Sequence, residues 1–405
     1  MLVMLKLSYL VNPVFLKIYK MKNANLPLIK ILMIVMALFL MNGISAQTTI
    51  PEETTTSETE TKDSNWIEEI TSRVTPYGTI RIGAGFAEEG EIGISNNAPR
   101  IGLKFKHALS NDEAENFNVI GGIEFGVNLV SRDDTVEFAV DPGAGIAQVG
   151  DAVFARLGFV GVSYQDFEFT FGKQNSVYYT LGANQIDRFL AFGGAAIGVW
   201  NISDGGISGT GRANQVFILK YKNKGLTLGA QMQARNISDN SESIDTYGFG
   251  VNYTIDGFTI GAGYNKVNDG VEDPLPNQAK EGDEAFVTSA SFEKDRFTVA
   301  ASYAILKQHQ QVGDIFYDAT GIEFYARYKF STNQRWHVAA GFNYLKPDDD
   351  ENLGDFDSKF GIVEVGYNFK KASHIFVAAD IDQSEDSNGD SRNQSVFGIG
   401  IRFGF

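Results

Sequence analysis

Residues 395–405 read "SVFGIGIRFGF". From Phe397 every second residue is large and apolar: Phe397, Ile399, Ile401, Phe403 and Phe405. Gly398, Gly400, Arg402 and Gly404 lie between them. A period of two is the signature of a β-strand, whose side chains point alternately to opposite faces. This strand is greasy on one face and bare or charged on the other. Alternation predicts Ile399, Ile401 and Phe403 on one side and Arg402 on the other.

The same period runs through the chain from Val74 onward. "YGTIRIGAGF" sets Ile80, Ile82, Ala84 and Phe86 against Thr79, Arg81 and Gly83. "GLTLGAQMQAR" and "RWHVAAGFNY" alternate in the same way. No helical period extends beyond three turns. Sixteen strands are predicted, at about 76–86, 99–109, 116–130, 153–163, 166–173, 214–222, 225–235, 245–255, 257–266, 284–293, 296–306, 319–330, 335–345, 358–369, 373–382 and 393–405.

The links between strands carry a second pattern. After most even-numbered strands they are short: "QD" at 165, "NKG" at 223, "DG" at 256, "EKDR" at 293, "STNQ" at 331 and "KKAS" at 370. After most odd-numbered strands they are long and polar, as at 87–98, 131–152, 267–283 and 346–357. Short turns on one rim and long loops on the other are the plan of a transmembrane antiparallel β-barrel with an even strand number. A soluble sandwich also alternates, but it rarely keeps strict alternation through so many strands. Here the polar face is glycine and charge, suited to a wet lumen, and aromatics gather near strand ends, suited to membrane interfaces. The last strand must then pair with the first, because an open edge in lipid leaves backbone groups unsatisfied. The expected fold is all-β, with 74–405 as the barrel.

The amino-terminal part has a different composition. Met21-Lys22 and Lys30 precede an apolar run from Ile31 to Met41, and small residues lead to Gln47. This pattern predicts a secretory signal peptide over 1–46, cleaved after Ala46, with 1–20 as an upstream extension from a mistaken start codon. An uncleaved membrane anchor is the alternative. Residues 47–73 are rich in Thr and Glu and offer little to bury, which predicts a flexible acidic periplasmic linker. The net charge of -16 argues against non-specific nucleic-acid binding. Loss of five lysines and no acids with 1–46 takes it to -21.

Motifs for covalent chemistry or metals are weak. There is no cysteine. His107, His309, His337 and His374 form no metal-ligand spacing, and neither G-x-S-x-G nor a P-loop occurs. "SEDSNGD" lacks the first and last ligands of a calcium loop. "KPDDDENLGDFD" reads as a solvated acidic loop, with divalent-cation bridging to lipopolysaccharide as the functional alternative. No cofactor, metal site or catalytic residue is expected.

Three stretches resemble the general diffusion porins of Gram-negative bacteria. "PRIGLKFKHAL" resembles the porin second strand. "FARLGFVGVSYQDFEFTFGKQNSVYY" resembles the fourth strand, tight turn and fifth strand, entering an infolded third loop. "FLAFGG" and "GRANQVFILKYKN" resemble the tip of that loop and the sixth strand. The resemblance implies a constriction loop at about 174–212 and a homotrimer. It matches Arg100, Arg156 and Arg212 to the family's wall arginines, with Arg81 as a neighbouring candidate. Ala191 and Ala195 stand where the family's loop usually carries acids, which leaves Asp187 as the nearest carboxylate and Asp204 further along. The terminal aromatics Phe403 and Phe405 resemble the recognition signal of the outer-membrane barrel-insertion machinery.

These readings converge on a passive outer-membrane channel for small hydrophilic solutes and ions. Two other classes stay open on the residues alone. One is a substrate-specific channel, for phosphate or sugars, with a saturable lumen site. The other is an outer-membrane enzyme. Charge at the predicted wall argues for weak anion preference or near-neutral selectivity despite the acidic composition.

Overall fold

The computed structural model describes residues 73–87, 92–109, 116–130, 152–234, 244–269, 271, 281–312, 315–348, 356–370, 372–386, 388–392 and 394–405. The predicted signal peptide and the acidic segment up to residue 72 lie outside the described residues, as do most of the acidic loop at 346–357 and of the loop at 131–152.

The strands are β1 (Val74–Ala87), β2 (Ile92–Asn96), β3 (Arg100–Ala108), β4 (Phe117–Val127), β5 (Val153–Tyr164) and β6 (Phe167–Asn175). After a long loop come β7 (Arg212–Asn223), β8 (Leu226–Gln233), β9 (Thr246–Ile255), β10 (Phe258–Val267), β11 (Glu284–Lys294) and β12 (Phe297–Val312). The wall is completed by β13 (Ile315–Lys329), β14 (Trp336–Pro347), β15 (Ser358–Lys370), β16 (Ser373–Asp382) and β17 (Val396–Gly404). Each pairs antiparallel with its neighbours, and β1 also pairs with β17 over Thr79↔Gly404 to Ala87↔Val396. Gly78 and Phe405 exchange two further backbone hydrogen bonds, each 3.1 Å. The sheet therefore closes into a barrel, as a lipid environment requires.

Sixteen wall positions are filled, because β2 and β3 share one. Both pair with β1, β2 against Ile82–Phe86 and β3 against Val74–Thr79. Residues 92–96, expected within the long loop 87–98, form a strand instead. The break at Asn97–Pro99 has a local cause: Pro99 has no N–H to give the ladder, and Ala98 has φ 52°. The stretch 307–318, also read as a loop, is largely hairpin: β12 and β13 run on past a bulge after Leu306 to Val312↔Ile315.

Alternation holds around the ring. Ile399, Ile401 and Phe403 are exposed on the outside, at 43%, 48% and 52%, while Gly398 and Gly400 are buried. Aromatic side chains gather at the short-turn rim: Phe167 beside Tyr221, Phe297 beside Tyr328, and Trp336 beside Tyr367, with ring centroids 4.8–5.1 Å apart. Such a girdle sits at the membrane–water interface. The turns there use left-handed residues, as at Asp256 (φ 47°) and Gly257 (φ 82°), which suit a two-residue hairpin.

The main buried apolar cluster is not a sandwich core. Tyr178, Ala183, Ile186, Ala196, Ile197 and Val199 of the long loop pack on Ala285, Val287, Ala304, Leu306 and Tyr325 of the wall. The loop between β6 and β7 thus lies inside the barrel.

Candidate pore constriction

The inward loop is closed at its base. Ser176 N–H donates to the Gly211 carbonyl at 2.8 Å, and the Ser176 hydroxyl donates to the Thr210 carbonyl. A π-helical turn, Tyr178–Ala183, follows. Its outer side, Val177 and Leu181, packs on Ala213, Val216 and Ile218 of β7. The loop backbone lies flush on the wall at glycines. A Cβ on Gly261 would overlap the Leu181 carbonyl oxygen, and one on Gly321 would overlap that of Ala196. Several inward glycines therefore make room for the loop rather than for water.

Buried wall carboxylates hold the middle of the loop. Glu323 on β13 accepts from the backbone N–H groups of Gly194 (3.2 Å) and Ala196 (2.7 Å). Glu364 on β15 accepts from Leu190 N–H at 2.8 Å, and its other oxygen lies 3.0 Å from His337 Nε2. The Leu190 carbonyl accepts from Arg402 (3.1 Å) and from Asn97 (2.8 Å). Further back, His309 bridges the loop carbonyl of Gly198 and the Asp283 carboxylate, at 2.6 Å each. Orphaned backbone groups inside a barrel are costly, so these contacts fix the loop's path. That path runs along β7 to β17 and leaves β1 and β3–β6 uncovered.

The uncovered wall carries the predicted arginines. Arg156 on β5 is 6% exposed on its side chain and donates from Nε to Glu124 Oε1 on β4 at 2.9 Å. Arg100 on β3 approaches the same oxygen at 3.8 Å, and the Tyr77 hydroxyl donates to the other at 3.1 Å. Arg81 on β1 donates to the Thr79 hydroxyl at 2.8 Å and lies within electrostatic range of Arg100, Arg156, Arg402 and Asp187. Sequence reasoning missed Glu124. In "GGIEFGV" it reads as one more inward polar residue, and only the β4–β5 register shows its partner. It also placed Arg402 in the lumen without joining it to this group, although Arg81↔Arg402 is an in-register pair.

Arg212 lies within electrostatic range of Arg156 but is paired within the loop. It opens β7 and pairs with Asp204 of the same loop at 2.5 Å, its guanidinium 4.9 Å from the centre of the Trp200 ring. It braces the loop's base. Burial works to raise the Asp204 carboxyl, but Arg212, with Arg156 and Lys173 nearby, outweighs it and holds the group below its ordinary range.

Asp187 is exposed on the lumen side of the loop and accepts from the Tyr179 hydroxyl at 2.7 Å. Burial and this carboxylate keep the Tyr179 phenol well above its ordinary range, so it stays a neutral donor. Ala191 is buried against the wall, in a cluster with Phe192 and Phe376. The loop's facing edge thus presents Asp187 to the wall group Arg81, Arg100, Arg156 and Arg402. Phe403 points outward, and Phe405 lies over Gly78 at the seam.

Comparison with known proteins agrees with the barrel fold. A family model described as Gram-negative porin matches residues 46–404. The outer membrane porin protein OmpD of Citrobacter koseri is 29% identical over 64% of this chain and 75% of its own length. Among solved structures, Salmonella typhi OmpF in complex with daunomycin aligns with TM-score 0.62 at 18% identity, covering 82% of this chain and 97% of that one. In-vitro folded OmpT of Vibrio cholerae, in its trimer form, aligns with TM-score 0.58 at 15% identity, over 82% and 99%. A closed sixteen-position barrel, an inward loop and a family match across nearly the whole of it lead to one conclusion: this chain belongs to the Gram-negative porin family and is an outer-membrane channel for passive diffusion, not an enzyme.

Proposed function

We propose that Arg81, Arg100, Arg156 and Arg402 on the wall, facing Asp187 on the loop, form the selectivity-setting constriction of this channel. The observation that carries the reading is the loop's attachment through Glu323 and Glu364, which leaves only the arginine-bearing wall open to solute. Charges at a narrow, low-dielectric passage act on an ion directly, whereas loop charges outside are screened within about 8–10 Å at physiological salt. Arg156 is largely balanced by Glu124, and Arg212 by Asp204. Arg81, Arg100 and Arg402 then stand against Asp187, which favours weak anion preference. The permeant species are small hydrophilic solutes and ions. The trimeric state of the Vibrio cholerae relative supports a homotrimer here. The outward aromatics Phe403 and Phe405 serve as the signal read by the barrel-insertion machinery, and the barrel's outward apolar band meets outer-membrane lipid.

Liposome swelling with uncharged sugars of increasing size tests the passive reading. The rate should fall steeply with solute size and rise linearly with concentration. Saturation at low concentration of one sugar would favour a substrate-specific channel instead.

A further inference from the structure

A second charged place lies between the constriction loop and the short-turn rim. There the first turn of the loop and the inner faces of β7–β11 border an open polar hollow of about 410 Å3. Its cations are Arg188, Lys220 and Lys222. Hydroxyls and amides of Thr180, Asn184, Thr227, Asn252, Thr254 and Thr259 line the rest.

The pairing of these cations is uneven. Glu168 on β6 stands in register with Lys220 on β7, the position from which an ion pair is expected. Yet Glu168 binds Lys222 instead, at 2.8 Å. Arg188 is partly committed, to Glu293 at 3.4 Å, the Gln185 carbonyl at 2.6 Å and the Ser291 hydroxyl at 3.2 Å. Among the described residues Lys220 has no ion pair and no hydrogen bond at bonding distance, and the Glu168 carboxylate acts on it only at longer, electrostatic range. An unpaired ammonium drawn partly out of water is unfavourable unless something else satisfies it. Three N–H donors beside a ring of hydroxyl and amide donors match an anion with several acceptor oxygens. A neutral polyol would not require the charge.

We propose that this hollow is a transient binding station for small oxyanions, with Lys220 as its principal charge and Arg188 as its second. It rests on the channel reading of the barrel. An anion that has passed the arginine wall would pause here before leaving at the short-turn rim.

The test uses the purified full-length protein in planar bilayers, with potassium chloride carrying the current and inorganic phosphate as the probe. Conductance in chloride alone checks the channel reading separately. Phosphate should then lower the chloride current saturably, and at lower concentration when added from the short-turn side. Lys220→Gln should raise the half-blocking concentration at least fivefold, and Lys220→Arg should largely restore it. If Lys220→Gln does not assemble, Arg188→Gln is read by the same criterion. Open channels without saturable block, or block unmoved by these variants, overturn the proposal while leaving the channel reading intact.

Discussion

Arg81 on the first strand stands directly opposite Arg402 on the last, across the seam that closes the barrel. Like charges in register destabilise a strand pair. Neither arginine forms an ion pair among the described residues; each is held by a neutral acceptor, the Thr79 hydroxyl and the Leu190 carbonyl respectively. The seam therefore brings two cations without an ion-pair partner among the described residues to the same height as the loop tip. One link in the chain is pairing register, and its consequence is the charge of the passage.

The seam strand also gives the sharpest test of facing. Ile401 points outward and Arg402 inward. A charge on the lipid face near the bilayer centre costs about 2–4 kcal/mol. Ile401→Arg should lower the yield of heat-modifiable barrel on gel electrophoresis, and Arg402→Gln should leave it near wild type. Equal yields would mean the strand's register is wrong.

Loop attachment should depend on two carboxylates. Glu323→Ala strands the N–H groups of Gly194 and Ala196, and an orphaned buried donor costs about 1–3 kcal/mol. Glu364→Ala releases Leu190 as well. The double variant should show larger open-channel current noise and a lower unfolding temperature. Noise and melting like those of wild type would show that the loop is held elsewhere.

Glu124 should act against the arginines. Glu124→Gln keeps an acceptor for Arg156 Nε but removes the negative charge. The reversal potential in a salt gradient should move toward anions. No movement would contradict its place beside the ion path.

Asp204 carries a pH dependence. Its folded-state value lies below the ordinary 3.8, so its pairing with Arg212 stabilises the loop base fully above that ordinary value. The contribution is lost as pH falls through the lower, folded-state value. Acidification below about pH 4 should loosen the loop base in wild type, seen as rising current noise. Asp204→Asn should show that noise already at neutral pH and change less on acidification.

Much of this architecture was legible because a barrel in lipid enforces a strict period of two. Outward residues such as Ile80 and Ile399 must be apolar, and the short turns mark one rim. What the period could not give is which strand pairs where, and with what bulge. β2 hid behind Pro99, and the overrun of β12 and β13 hid behind polar residues such as Gln310 and Gln311, which suit a strand standing above the membrane. Arg100 and Arg156 were found through resemblance to a family, but Glu124, Glu323 and Glu364 were not. Each is a lone acid on an inward parity, and its partner lies 32 to 174 residues away in sequence. The glycines misled in a quieter way. Their inward row reads as the lining of a wet lumen, whereas Gly261 and Gly321 lie beneath the loop.

The central claim is that wall arginines, not the acidic composition, set the behaviour of the pore. Reversal potential in a potassium chloride gradient, measured on single channels of wild type and of Arg100→Ala combined with Arg156→Ala, tests it most directly. The account predicts weak anion preference for wild type, and a shift toward cations with larger conductance for the double variant. A wild-type channel strongly selective for cations, with neither quantity moved by the double change, would contradict it.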